Sequence, residues 1–155
     1  MSLRERISAD LKTALKNKEQ LRLATLRLIN AAIKDRDIAL RGTGEDREMT
    51  DEEITAVLSR MVKQRQESAR AYEEGGRLEL VERELAEIGV IEDYLPRQLS
   101  AEETDAAIEA VIAELEATSI RDMGRVMNLL KARHTGQIDF GAVGPMVKAR
   151  LSNGG

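Results

Sequence analysis

The amino-acid sequence predicts an all-α protein, built as a four-helix N-terminal bundle followed by a three-helix C-terminal bundle. Apolar residues recur with helical spacing almost throughout the chain. Aromatic residues make up only 2% of the 155 residues, whereas β-sheets favour aromatic and β-branched side chains. Serine, threonine or aspartate precedes several apolar runs, where such side chains cap the start of a helix. We therefore expect no strand.

The first two helices are predicted from their apolar stripes. Leu3, Ile7, Leu11 and Leu15 follow one another at intervals of four and predict a helix with these four side chains buried. The next segment, from Glu19 to about Arg41, carries a wider apolar stripe. A helix with so broad an apolar surface is expected near the centre of its bundle.

The third and fourth helices are predicted from their ends as well as from their stripes. Thr50 precedes three acidic residues, which predicts a capped helix start. Gly75 and Gly76 are expected to end that helix, because glycine readily adopts the left-handed conformation of a helix C-terminus. The fourth helix is predicted to end at Gly89 and to bury four residues: Leu78, Val81, Leu85 and Ile88.

A domain boundary is predicted at Pro96, because proline disfavours helical backbone at the residue before it. The expected domains are an N-terminal helical bundle over residues 1–95 and a three-helix domain over residues 96–155. Ser100 and Glu103 form a capping box that starts the fifth helix.

Two more helices are predicted after the fifth. Ser119 and Asp122 repeat the capping signal and start a helix that ends near His134. Asp139 caps the last helix, and residues 151–155 are expected to fray.

Charge is unevenly distributed along the chain, although the net charge is only −4. Residues 1–41 carry a net charge of +5, residues 42–118 carry −13, and residues 119–155 carry +4. One interpretation is that a basic surface contacts a phosphate backbone while the acidic part stays away from it. The other is that the helix surfaces simply differ in charge.

The candidate site lies on the predicted helix from Ile120 to His134. Helical geometry places Met123, Val126, Met127 and Leu130 on one side and a polar, basic surface on the other. Gly124 requires an explanation, because glycine inside a helix reduces helix stability by about 1 kcal/mol relative to alanine. The candidate nucleic-acid-binding residues are Arg121, Gly124, Arg125, Asn128, Lys131, Arg133, Lys148 and Arg150.

Two explanations of Gly124 remain open at this point. Its missing side chain allows a phosphate backbone to come close, with Arg121 and Arg125 beside it. Alternatively, the glycine serves close packing against the neighbouring bundle, and the arginines are merely solvated. With few aromatic residues for base stacking, any nucleic-acid contact is expected to be mostly with the backbone.

No catalytic, metal or cofactor site is predicted. Cysteine is absent, which excludes disulfides and thiol nucleophiles, and histidine occurs once, at His134. The acidic residues that follow Thr50 and Ser100 are expected to act as helix caps rather than metal ligands. His134 is expected to interact favourably with a helix C-terminus.

Targeting signals are not recognisable in the sequence. The segment that begins with Met1 has no apolar core of signal-peptide length, and no window approaches the length of a membrane span. A cytoplasmic location without membrane contact is therefore expected.

Several stretches, taken together, resemble the GatB/YqeY family, and the length suits a stand-alone YqeY-like protein. They are Tyr72–Leu80 (YEEGGRLEL), Ile91–Pro96 (IEDYLP), Asp122–Met127 (DMGRVM) and Gly136–Asp139 (GQID), followed by Val143, Val147, Lys148 and Leu151. Arg125 stands where lysine is equally expected in that family, so the charge is kept.

The resemblance implies two helical bundles, of four and three helices. A related domain forms the tail of the B subunit of glutamine-dependent tRNA amidotransferases, where it helps to hold tRNA. The resemblance thus implies RNA contact at the helix with Gly124 and Arg125. It does not imply catalysis, and a carbon–nitrogen ligase activity with glutamine as amido-N-donor would be assigned by homology only.

The leading prediction is an accessory tRNA-binding module with no catalytic site of its own. Its expected partners are tRNA and an aminoacyl-tRNA synthetase or amidotransferase subunit. The alternative is a protein–protein interaction module that docks on such an enzyme and never contacts RNA. A third possibility, a true amidotransferase, requires glutaminase or ATPase activity from the chain alone.

Overall fold

The computed structural model of the protein describes residues 1–153, and within them it contains seven α-helices, one 3-10 turn and no strand. The prediction of an all-α fold is therefore confirmed. The chain divides into two compact units, Met1–Leu95 and a second unit that begins at Pro96. Each unit has a hydrophobic core of its own.

The first unit contains four helices. They are α1 (Leu3–Lys16), α2 (Gln20–Gly42), α3 (Asp51–Glu74) and α4 (Leu78–Glu92). Their core includes Leu26, Ile29, Ile54, Leu58 and Ile91, all fully buried. As predicted, α3 begins with a capping box, in which the Thr50 hydroxyl accepts from the backbone N–H of Glu53.

The predicted stripe on α1 is wrong at its last position. Ile7 is fully buried, but Leu15 is exposed and Ala14 occupies the buried position instead. An α-helix turns through slightly more than a full circle in four residues, so a stripe with intervals of four drifts away from the core over three turns.

The predicted end and buried face of α4 also need correction. The helix continues through Gly89 to Glu92, and Leu78 and Leu85 are exposed rather than buried. Glu87 is buried, because its carboxylate accepts from the Arg65 side chain of α3 at 3.1 Å. Pairing with a cation offsets part of the free-energy cost of removing a carboxylate from water.

Tyr94, two residues after α4, links the end of that helix to α1 and α2 by hydrogen bonds. Its buried phenol donates to the Asp10 carboxylate at 2.5 Å and accepts from Arg22 at 3.5 Å. The Arg6 guanidinium lies over the ring, 4.8 Å from its centroid. Burial and the neighbouring Asp10 raise the pKa of the Tyr94 phenol above its ordinary value. These contacts fix the chain just before Pro96.

The second unit contains three helices and the 3-10 turn. They are α5 (Ala101–Leu115), the turn (Ile120–Asp122), α6 (Met123–His134) and α7 (Phe140–Asn153). Their core includes Ile108, Val111, Val126, Leu130 and Val147.

The last helix extends further than predicted. Asp139 caps it, because its carboxylate accepts from the backbone N–H of Gly141 at 3.0 Å. Fraying from residue 151 is wrong for Leu151, which is almost fully buried, and α7 continues to Asn153. Residues 154 and 155 lie outside the described residues.

Hydrogen bonds between residues distant in the sequence join the segment before α5 to the loop between α6 and α7. The backbone N–H of Leu99 donates to the Gln137 carbonyl, and the Gln137 side chain donates to the Arg97 carbonyl, both at 3.0 Å. Gly136 has φ of +78°, the left-handed conformation that lets the chain turn after α6. These contacts set where α6 ends and α7 begins.

Candidate nucleic-acid interface

The start of α6 is built around Asp122. Its carboxylate accepts from the backbone N–H groups of Thr118 at 2.9 Å and Ser119 at 3.3 Å. These bonds, together with nearby Arg125, lower the pKa of Asp122. The turn they stabilise is a 3-10 turn, so Arg121 lies before α6. The sequence had predicted Arg121 on the surface of that helix, and this prediction is wrong.

Gly124 lies exposed in the first turn of α6. A β-carbon added to it would meet no atom of the second unit within 4 Å, so packing inside that unit does not fill this space. Its φ is not positive, so the backbone does not require glycine here either. Packing within the second unit therefore does not explain Gly124, and within that unit the surface above the glycine is open.

Asn128 and Lys131 share the exposed surface of α6 with Gly124. Lys131 lies two turns further along the helix, and both side chains are exposed. Val126 and Leu130 lie on the opposite side of α6 and are fully buried in the core of the second unit. The predicted division of α6 into an apolar and a polar side is confirmed.

Arg125 is only partly available to a partner. Its guanidinium pairs with the Asp122 carboxylate at 3.1 Å and donates to the Leu115 carbonyl at 3.3 Å. The pair lies at the surface, with 58% of the Arg125 side chain exposed. Exposed pairs contribute little to stability, so a phosphate can compete for this arginine.

Arg133 and Arg150 are held by α5. Arg133 pairs with Glu114 at 2.6 Å and lowers the pKa of that carboxyl. Arg150, on α7, pairs with Asp105 at 2.9 Å and with Glu109 at 3.2 Å. Sequence reasoning missed these three acids: Asp105 and Glu109 lie about one turn apart on α5, whereas Glu114 lies on another side of that helix, so no single stripe marks the set.

Three cations of the candidate set have no acidic partner within residues 1–153, namely Arg121, Lys131 and Lys148. All three are exposed. Lys148 lies on α7, one turn beyond Gly144, where an added β-carbon would meet the methyl group of Met123 at 3.9 Å. This contact places α7 against the start of α6. The basic residues among the candidates therefore divide into three without an acidic partner in the described chain and three that are paired.

No other kind of site is evident in the described part of the chain. No group of three or more acidic or histidine side chains within it is placed to hold a metal ion. A cavity of about 200 Å³, lined by residues that include Arg36, Met49 and Glu53, is smaller than typical ligand pockets. The His134 ring, at the end of α6, lies 3.1 Å from the Gln137 side chain.

The fold and the site together define a small helical protein of two units with a partly neutralised basic surface on the second. The model of the family described as "Yqey-like protein" matches residues 4–151. The chain belongs to this family, which is related to the tail domain of the amidotransferase B subunit, and the resemblance found in the sequence is confirmed.

Several curated relatives come from fungi and are named "Altered inheritance of mitochondria protein 41, mitochondrial". The relative from Lachancea thermotolerans is 30% identical over 73% of this chain and 59% of its own length. The relative from Kluyveromyces lactis is 30% identical over 71% and 58%, and that from Eremothecium gossypii 32% over 72% and 60%. The chain thus spans about three fifths of the relatives it matches.

The predicted cytoplasmic location is wrong on this comparison, because these relatives are named as mitochondrial proteins. The prediction depended on the lack of a recognisable signal, and a missing signal does not specify a compartment. Separately, no helix within residues 1–153 is long and apolar enough to cross a bilayer.

Proposed function

We propose that the protein is an accessory tRNA-binding module whose second unit contacts the phosphate backbone. The observation that carries this proposal is the open surface above Gly124. A phosphate can approach the α6 backbone there, and Arg121, Asn128 and Lys131 supply donors beside it. Arg125 joins them when its exposed pair with Asp122 opens.

The charge arrangement supports contact with a polyanion. Residues 119–155 carry six basic and two acidic side chains, and three of the basic ones have no acidic partner in the described chain. The proposed surface extends to Lys148. It also includes Arg133 and Arg150 once these two arginines exchange their acidic partners on α5 for phosphate. Catalysis is left to a partner, proposed to be an aminoacyl-tRNA synthetase or amidotransferase subunit.

The test is an electrophoretic mobility shift of total tRNA across a salt series. We expect affinity to fall steeply with salt, each neutralised phosphate contributing about −0.7 to −0.9 to the log–log slope. The variant Arg121→Glu/Arg125→Glu/Lys131→Glu is expected to abolish the shift. Unchanged affinity in that variant would reject the proposal.

The matched control carries the same charge change elsewhere. Arg60, Arg70 and Arg77 are exposed cations of the first unit without an acidic partner in the described chain. The variant with all three replaced by Glu is expected to retain most of the affinity. A loss as large as that of the site variant would show that only net charge matters.

A second candidate function, docking on such an enzyme without RNA contact, is favoured by the existing pairs of Arg125, Arg133 and Arg150. Its signature is binding to a purified synthetase or amidotransferase that survives nuclease treatment, without any shift of purified tRNA.

We further propose that the two units are separately folding bundles, of four helices over residues 1–95 and of three helices after Pro96. Their two distinct hydrophobic cores support this division.

A further inference from the structure

One surface of α4 carries large apolar side chains that are exposed to solvent. Leu78 and Leu85 are 63% and 55% exposed, and Gly89 lies one turn after Leu85 on the same side. We name Leu78, Glu82, Leu85 and Gly89 the α4 outer face. Glu82 is exposed in its middle.

Gly89 is an independent sign that something packs on this face. Glycine weakens a helix interior, and here α4 continues for three residues beyond it with no positive φ. A β-carbon added at Gly89 would meet no atom within 4 Å. The chain's own packing therefore does not explain the glycine, whereas close approach of a second helix does.

A second exposed stripe lies on α2. We name it the α2 outer face: Leu21, Ala24, Leu28, Ala31 and Ile38. Its members are all exposed, and Leu21, Leu28 and Ile38 are 42%, 46% and 65% accessible. These residues occupy a and d positions of a heptad repeat, by which helices pair side by side, and the exposed Asp35 occupies the remaining a position between Ala31 and Ile38.

These two faces account for more than half of the large exposed apolar side chains. Nine such residues occur in the described chain, and Leu21, Leu28, Ile38, Leu78 and Leu85 are five of them. Large exposed apolar side chains that cluster on one helix face typically mark a contact site.

The charges beside the two stripes are opposite. Arg27, Lys34 and Arg41 recur every seven residues along one edge of the α2 outer face. On α4 the exposed acids are Glu79, Glu82 and Glu92. None of these six has an oppositely charged partner in the described chain.

This charge pattern indicates which helix of a second copy can pack on the α2 outer face. Two α2 outer faces set antiparallel would bring their cationic edges together, because the same heptad position meets itself across such a pair. The α4 outer face of another copy instead offers leucines to the leucines and acids to the cations. Complementary charge of this kind fixes the choice of partner.

We propose that two copies of this chain form a dimer in which the α2 outer face of each contacts the α4 outer face of the other. Helices α2 and α4 pack against each other within the first unit. In the proposed dimer the two contacts are related by one two-fold axis, which closes the assembly. The dimer does not depend on the proposed tRNA binding, since it uses the first unit only.

Sedimentation velocity on the full chain, from low micromolar to about 1 mM, tests the dimer. We expect the wild-type chain to reach twice its mass of 17.2 kDa. The variants Arg27→Glu/Lys34→Glu and Glu79→Lys/Glu82→Lys are each expected to raise the dimer Kd at least about tenfold, because like charges then face each other. An equimolar mixture of the two is expected to restore the dimer, since each variant then carries the complement of the other.

Gly89→Gln separates loss of the interface from loss of the fold. The site has room within the chain, so the substitution is expected to raise the melting temperature of the monomer while it blocks dimerisation. The control Lys12→Glu/Lys16→Glu, on exposed residues of α1, is expected to leave dimerisation unchanged.

Three results would overturn the proposal: a wild-type chain that stays monomeric at the highest concentration, a dimer unaffected by either charge reversal, or a mixture that fails to reassociate. Flotation of a monomeric chain with vesicles of anionic phospholipid would assign the α2 outer face to a membrane surface instead.

Discussion

The two units use arginine in different ways. In the first unit, Arg65 and Glu87 join α3 to α4 with side chains only 15% and 11% exposed. In the second unit, Arg133 and Glu114 join α6 to α5 at the surface, with 42% and 51% exposed. A pair withdrawn from water is costly to break, whereas an exposed pair exchanges partners easily. The Arg65–Glu87 pair therefore contributes to packing between helices, whereas the Arg133–Glu114 pair can exchange its partner in solvent.

The largest effects are expected from cavities, which test whether the units are separate. Leu26 and Leu130 are fully buried, one in each core. Leu26→Ala and Leu130→Ala are each expected to reduce the free energy of unfolding by about 2–5 kcal/mol. Amide hydrogen exchange should accelerate only in the unit that carries the substitution. Acceleration in both units would show that they fold as one.

A smaller effect is expected from the buried ion pair. Glu87→Gln leaves the Arg65 charge without its partner and is expected to reduce the free energy of unfolding by about 3 kcal/mol. Glu114→Gln, which leaves Arg133 in solvent, is expected to leave the urea midpoint unchanged. Equal losses in the two variants would remove the contrast between the units.

The smallest expected effect concerns the pKa values of Glu53 and Glu103, which lie in the first turns of α3 and α5. Hydrogen bonds from Arg47 and the Thr50 backbone lower the pKa of Glu53 to about 2, and Arg97 and Ser100 do the same for Glu103. A carboxyl with a lowered pKa stabilises the fold above its ordinary value of 4.5, and this contribution is lost as pH falls towards 2.

The measurement is an NMR titration of both glutamate side chains. Arg97→Ala is expected to raise the pKa of Glu103 and to leave that of Glu53 near 2. A change at both glutamates would contradict separate helix starts.

Features set by neighbouring residues could be predicted from the sequence. The capping boxes at Thr50 and Ser100 involve groups three residues apart, so local sequence determines them. The exposed position of Gly124 follows from helical spacing alone once α6 is located. The 3-10 turn that moves Arg121 off the helix depends on two backbone bonds to Asp122, which the helical pattern does not reveal.

Features that join distant helices could not be predicted. Burial of Glu87 depends on Arg65, 22 residues earlier. The pairing of Arg150 with Asp105 spans 45 residues, and no local pattern links the two. The sequence therefore indicated which cations α6 and α7 carry, but not which of them α5 already holds.

The buried phenol at the end of α4 gives the protein a built-in optical reporter. The chain has no tryptophan and two tyrosines, Tyr72 and Tyr94, both before Pro96. Tyrosine emission thus monitors the first unit alone, and the hydrogen bond from Tyr94 to Asp10 makes that signal sensitive to its unfolding. The second unit contributes no such emission, so comparing fluorescence with circular dichroism distinguishes the melting of the two without any label.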